Sequence, residues 1–208
     1  MALTPSTMLP LGTALPFEAI SAALAAGSLR QVSGDPLQSE ALGRDPLLVL
    51  FLCAHCPFVK HVEPEITRLQ HDFAGPGARP RLQILAISSN SVQTHPQDGP
   101  EGLRAQAECH GWRFPYLFDA EQRIARVFRA ACTPDPYLFA PGADGVPRLV
   151  YRGQLDASRP GNGVPLDGAD LRSALAALAA SRLPDPAQQP AIGCNIKWHP
   201  GAEPEWGR

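Results

Sequence analysis

The sequence predicts an α/β fold: a central mixed β-sheet flanked by helices, with an extended C-terminal tail. Three observations carry this. The unbroken apolar run Leu47–Leu52 suits a central strand covered on both faces. From Pro57 onward Phe58, Val62, Ile66, Leu69 and Phe73 recur every three or four residues, the period of a helix with one buried face. A second apolar run, Leu82–Ser89, follows that helix and completes a β-α-β unit.

The other elements follow in order. Pro57 suits a first helical turn, whose N–H groups have no intrahelical partner, and Pro64 lies inside the same helix. The polar loop Asn90–Gly99 leads to a helix near Pro100–His110, then a short strand at Phe114–Leu117 and a helix over Glu121–Ala130. Tyr137–Phe139 and Leu149–Arg152 flank a Gly/Pro/Asp turn and form a hairpin, after which Leu171, Leu175 and Leu178 mark a last helix. Before Arg44 the pattern is weak, with a short strand at Leu15–Ile20 and a turn or two of helix in Ser21–Ser28. The order β-α-β, then a β-hairpin, then α, is that of a thioredoxin core with an inserted strand–helix piece, so the expected division is an N-terminal extension (1–44), a thioredoxin-like domain (45–182) and a Pro-rich tail docked on it (183–208).

The 208 residues are 44% hydrophobic and 18% charged with a net charge of -2, which offers no electrostatic footprint for nucleic acid. No segment approaches the ~20 apolar residues of a membrane span, and Met1–Leu15 lacks a cationic start, so neither a membrane nor a nucleic acid is an expected partner and the expected location is cytoplasmic. Five cysteines, only two of them in a CxxC, do not form the framework of a disulfide-stapled secreted protein.

Cys53 and Cys56 stand where the first strand runs into its helix. Unpaired N–H groups and a partial positive charge there stabilise a thiolate, and the spacing lets one turn bring two sulfurs within bonding distance. His55 precedes Cys56, and a protonated imidazole beside the pair would further favour thiolate and make the disulfide more oxidising. The alternatives are two packed cysteines or part of a soft-metal site, although structural zinc takes four ligands and Cys109, Cys132 and Cys194 are isolated. Cys109 and Cys132 read as buried apolar residues. Cys194 sits in the apolar stretch Ile192–Trp198 of the tail, either as a packing residue or as a resolving thiol. No metal is assigned, and no cofactor is required because the electrons reside on the sulfurs.

Phe51–His61, Ala86–Asn90, Phe114–Leu117, Cys132–Asp135, Tyr151–Asp156 and Ile192–Trp198 together resemble the bacterial, CxxC-bearing peroxiredoxin-like branch of the thioredoxin superfamily, the alkyl hydroperoxide reductase C and thiol-specific antioxidant group. The resemblance spans about Pro46 to Trp198. It implies that Cys56 aligns with the peroxidatic cysteine, that Cys53 takes the place of a threonine, and that Thr133 and Pro134 form a substrate groove with Pro134 as the cis-proline facing the dithiol. It also implies an arginine near that proline, whereas Thr133–Tyr137 contains none, which favours thiol–disulfide exchange over peroxide reduction. The expectation is thus a thiol–disulfide oxidoreductase with Cys53 as the more accessible attacking thiolate and Cys56 as its resolving partner. Its partners would be a disulfide-containing protein, or a small thiol or peroxide, and a separate electron donor. A thiol peroxidase with Cys56 attacking peroxide, or a soft-metal- or partner-binding module, are the alternatives.

Overall fold

The computed structural model describes residues 3–37, 39–75, 77–78 and 81–207. Met1, Ala2 and Arg208, the ends of the predicted extension and tail, lie outside the described residues. In chain order the elements are β1 (Leu3–Pro5), α1 (Phe17–Ala25), β2 (Leu29–Gln31), β3 (Leu47–Phe51), α2 (Pro57–Phe73), β4 (Gln83–Ser88), α3 (Pro100–Cys109), β5 (Tyr116–Asp119), α4 (Arg123–Val127), β6 (Cys132–Thr133), β7 (Asp135–Ala140), β8 (Arg148–Arg152), α5 (Ala169–Ala179) and β9 (Ile192–Asn195). A six-stranded sheet runs β2-β5-β4-β3-β7-β8. The β3–β4 and β4–β5 pairs are parallel and the others antiparallel, so the sheet is mixed.

Every residue of β3 is buried, and the alternation of side chains along a strand assigns them to two cores. Leu48 and Leu50 pack with Val59, Val62, Ile66 and Leu69 of α2 and with Leu171 and Leu175 of α5. Leu47, Val49 and Phe51 pack on the opposite face with Ile20 of α1 and with Ile124 and Phe128. This is why the run shows no polar alternation: both faces of β3 are covered. Each such side chain contributes roughly 1.5–3 kcal/mol on burial.

The N-terminal reading is corrected. Leu15–Ile20 is not a strand; Phe17–Ala25 is helical, and the strand is Leu29–Gln31, paired antiparallel with β5. Alanine-rich segments favour helix, and Ile20 and Ala23, three residues apart, form its buried side. Residues 17–31 therefore supply an edge strand and a covering helix of the same domain rather than an extension to it. A second, three-stranded sheet, β1-β9-β6, ties both ends of the chain to the segment preceding Pro134. It places the tail beside the dithiol.

Candidate active site

At the end of β3 the ladder continues through the Leu52 N–H, which donates to the Ile87 carbonyl at 2.9 Å, and the chain then turns into the helix. Cys56 is the N-cap of α2, in extended conformation, with its carbonyl accepting the Lys60 N–H at 3.0 Å. The strand thus hands Cys53 to the turn and the helix terminus holds Cys56. Both residues are fully buried, so the expectation that Cys53 is the more accessible thiol is not met.

Cys194 faces Cys56 with a sulfur–sulfur separation of 2.7 Å. Cys53 Sγ lies 3.3 Å from Thr133 Oγ1, and Cys56 Sγ lies 3.4 Å from the Thr133 carbonyl oxygen. The Thr133–Pro134 bond is cis. No disulfide links these cysteines. The sequence-assigned residues Cys53, Cys56, Thr133, Pro134 and Cys194 therefore converge on one place. Cys132 is buried beside them, its thiol pushed up by burial, whereas Cys109, expected to be buried, is exposed at the end of α3.

The three neighbouring thiols are not equivalent. Hydrogen bonds from Cys194 and then Cys53, helped by the Val59 amide in the first turn of α2, pull Cys56 far below the ordinary thiol value against the opposing effect of burial. Cys53 is pushed up by its hydrogen bond to Cys56, by burial and by the negative charge of Asp98. Cys194 is likewise pushed up by its bond to Cys56 and by burial. Of the three thiols, Cys56 is the one whose ionisation its surroundings favour, while Cys53 and Cys194 are disfavoured. The contact with the Thr133 carbonyl belongs to the protonated form, since only an S–H can donate to that oxygen.

Asp98 is the main site residue that sequence reasoning missed. It is fully buried at the end of a short 3-10 turn, Pro96–Asp98, in a loop that reads as polar linker. Its Oδ1 accepts the Ala54 and His55 amides at 2.9 and 3.1 Å, and its Oδ2 faces His55 Nδ1 at 2.5 Å and Asn90 Nδ2 at 2.8 Å. Burial pushes the carboxyl up, but the bonds from His55 and Asn90 outweigh it and hold the group below the usual carboxylate value. The anion fixes both residues between the cysteines. His55 is thereby oriented toward Asp98, with the His95 ring beside it at 4.6 Å between centroids, tilted by 34°. His95 is pushed down by burial and by the neighbouring His55 and Lys197 charges.

A second buried polar chain holds the other end of the turn. Gln106 Nε2 donates to the Cys53 carbonyl at 3.2 Å and to Glu63 Oε1 at 2.7 Å, while Tyr116 Oη donates to Gln106 Oε1 at 3.0 Å. A shallow cleft lined by Phe58, His61, Val62, Pro134, Leu155 and Ile192 opens beside the cis-proline. Cys53, His55 and Asp98 offer donor atoms within 4.8 Å of one another. Each Asp98 oxygen already receives two hydrogen bonds and His55 Nδ1 is committed to one of them, so the set fits hydrogen bonding better than metal ligation. Among the described residues no helix is long and apolar enough to cross a membrane.

Comparison with known proteins agrees with this geometry. The family model described as the AhpC/TSA family matches residues 20–148. The crystal structure of an uncharacterized conserved protein from Geobacillus kaustophilus is 41% identical, with 97% of this chain and 99% of that chain covered at a TM-score of 0.83. A hypothetical protein from Sinorhizobium meliloti 1021 is 36% identical, with 95% and 100% covered at a TM-score of 0.80. A secreted disulfide oxidoreductase from Mycobacterium tuberculosis, at 18% identity, 71% and 92% coverage and a TM-score of 0.50, shares the fold. No curated protein matches the chain. With the thioredoxin-like sheet, the Cys56 helix terminus and a family match over residues 20–148, the chain belongs to the AhpC/TSA family, a peroxiredoxin-like member of the thioredoxin superfamily.

Proposed function

We propose that this protein is a thiol–disulfide oxidoreductase in which Cys56, not Cys53, is the attacking sulfur. The observation that carries the reading is the thiolate position of Cys56 at the α2 terminus, with Cys53 donating to it from the same turn. The Cys56 thiolate attacks one sulfur of a substrate disulfide, the other leaves as a thiolate, and a mixed disulfide forms. Cys53 then loses its proton and attacks Cys56 Sγ, which gives the Cys53–Cys56 disulfide and releases the substrate as a dithiol or two thiols. Once Cys56 is in the mixed disulfide, the neighbouring negative charge that holds the Cys53 proton is gone, so the second step is easier than the resting state suggests. The electrons reside on the sulfurs, and a separate donor restores the dithiol.

The expected substrates are disulfide-bearing proteins or small disulfides in a reducing, cytoplasmic setting. Both sulfurs are buried in the resting structure, with Thr133 and Cys194 against Cys56 Sγ. Peptide mapping after mild oxidation tests the reading: a Cys53–Cys56 linkage is expected, and free alkylation of both residues would count against it. The Cys56 thiolate also favours a second reading, peroxide reduction through a Cys56 sulfenic acid. Peroxide consumption by reduced protein distinguishes the two.

A further inference from the structure

We infer that Cys194 is a third exchanging thiol, delivered to Cys56 by β9, so that the protein forms a Cys56–Cys194 disulfide in addition to Cys53–Cys56; this rests on the exchange chemistry proposed above. The sulfurs of Cys56 and Cys194 are already 2.7 Å apart, whereas a disulfide bond is about 2.0 Å long. The approach is built by the backbone. In the antiparallel pairing of β9 with β6, Cys194 stands opposite Thr133 and Asn195 opposite Cys132, and on its other side Cys194 stands opposite Leu3. Gly193 permits that proximity, because a Cβ there would collide with the Thr133 carbonyl oxygen.

The chain beyond β9 is anchored as firmly. Asn90 Oδ1 accepts the Lys197 N–H at 2.8 Å while Asn90 Nδ2 donates to Asp98, so one side chain joins the tail to the Cys53–Cys56 turn. The Lys197 carbonyl accepts the Ser91 N–H at 2.7 Å and Gln122 Nε2 at 2.9 Å, and Ile196 and Trp198 are buried. Covering the core does not require β9 to carry a thiol aimed at Cys56 Sγ. The exchange balances without an added oxidant: Cys194, deprotonated, attacks Cys56 Sγ of the Cys53–Cys56 disulfide, a Cys56–Cys194 bond forms, and Cys53 leaves and takes the proton. From a Cys56 mixed disulfide the same attack releases the substrate thiol instead.

The test uses full-length protein treated with oxidised glutathione, quenched in acid, alkylated and digested. In Cys53→Ser, the Cys56–Cys194 linked peptide should exceed the Cys56–glutathione adduct by about tenfold, because the pre-aligned partner outcompetes a dissolved one. Gly193→Ala in that background should reverse the ratio. Wild type supplies a readout independent of Cys53→Ser folding: Cys56–Cys194 peptide should appear beside Cys53–Cys56 and be lost in Gly193→Ala. If Cys56 carries glutathione in Cys53→Ser, Cys194 alkylates freely and wild type forms Cys53–Cys56 alone, the inference is overturned while the exchange function stands. If Cys56 alkylates freely in every protein after oxidation, both fall.

Discussion

Asp98→Asn tests how the turn between the cysteines is held. The substitution keeps the shape and leaves Oδ1 to accept the Ala54 and His55 amides, but it replaces Oδ2 with an NH2 group facing two donors, His55 Nδ1 and Asn90 Nδ2. Two hydrogen bonds to a charged, fully buried acceptor are lost, at roughly 1.5–3 kcal/mol each. A change of His55 tautomer recovers part of one, which leaves a destabilisation of about 2–4 kcal/mol. With a urea dependence of about 2 kcal/mol per molar, the midpoint should fall by roughly 1–2 M. The electrostatic consequence has the opposite sign for reactivity. Asp98 is one of the groups that push the Cys53 thiol up, so neutralising it should speed Cys53 alkylation at fixed pH, well below the unfolding transition. Urea titration and peptide-resolved alkylation read the two effects separately. An unchanged midpoint together with an unchanged Cys53 rate would refute the role given to Asp98.

Three further predictions concern proton and electron balance. Burial pushes Asp135 up to about 7, against hydrogen bonds from Tyr137 and Ser6, compared with about 3.9 in an unfolded chain. Its folded pKa is raised, so its contribution is complete below about pH 4 and is lost as pH rises through about 7, a span worth about 4 kcal/mol. Urea midpoints at pH 5 and pH 8 should show a fall in wild type that Asp135→Asn lacks; parallel profiles would contradict it. Alkylation of Cys56 in reduced protein should vary little between about pH 5 and pH 8, while an ordinary thiol with pKa about 8.5 loses about tenfold per unit; the same slope at Cys56 would remove its assignment as the thiolate. His55→Ala removes the partner of Asp98 beside the dithiol and should lower the reduction potential by a few tens of millivolts, about 30 mV per 1.4 kcal/mol, in a glutathione equilibration; an unchanged or higher potential reduces His55 to a turn residue.

What was legible in the sequence follows period and punctuation. Leu47–Leu52 and the 3–4 spacing from Phe58 to Phe73 identify the strand and helix that carry the dithiol, because burial on two faces and on one face leave different patterns. At the N-terminus the Ala-rich helix in Ser21–Ser28 is legible as far as Ala25, but its start at Phe17 is hidden because Leu15 and Pro16 precede it closely, and the three residues of β2 are too short to show alternation. Cys53, Cys56, Thr133, Pro134 and Cys194 were all visible as residues. Their roles were not, since the order of thiol acidities depends on which sulfur caps α2 and on how closely β9 approaches, and that approach rests on Gly193 opposite a backbone carbonyl. Asp98 lay in a loop whose composition reads as solvated, and nothing local marks a carboxylate that folds inward to bind amides more than forty residues earlier. Gln106 and Glu63 were hidden in the same way, as polar residues on helices whose inward faces hold a polar chain.

The central claim is that Cys56 is the sulfur through which disulfides are reduced. Steady-state reduction of a fluorogenic glutathione disulfide, with dithiothreitol as donor, measures it directly in wild type, Cys56→Ser and Cys53→Ser. Cys56→Ser should fall to the uncatalysed background, whereas Cys53→Ser keeps the first attack by Cys56 and, with Cys194 also replaced by Ser, should accumulate a Cys56 mixed disulfide detectable by mass. Full turnover by Cys56→Ser, or a mixed disulfide trapped on Cys53 in that variant, would contradict the account.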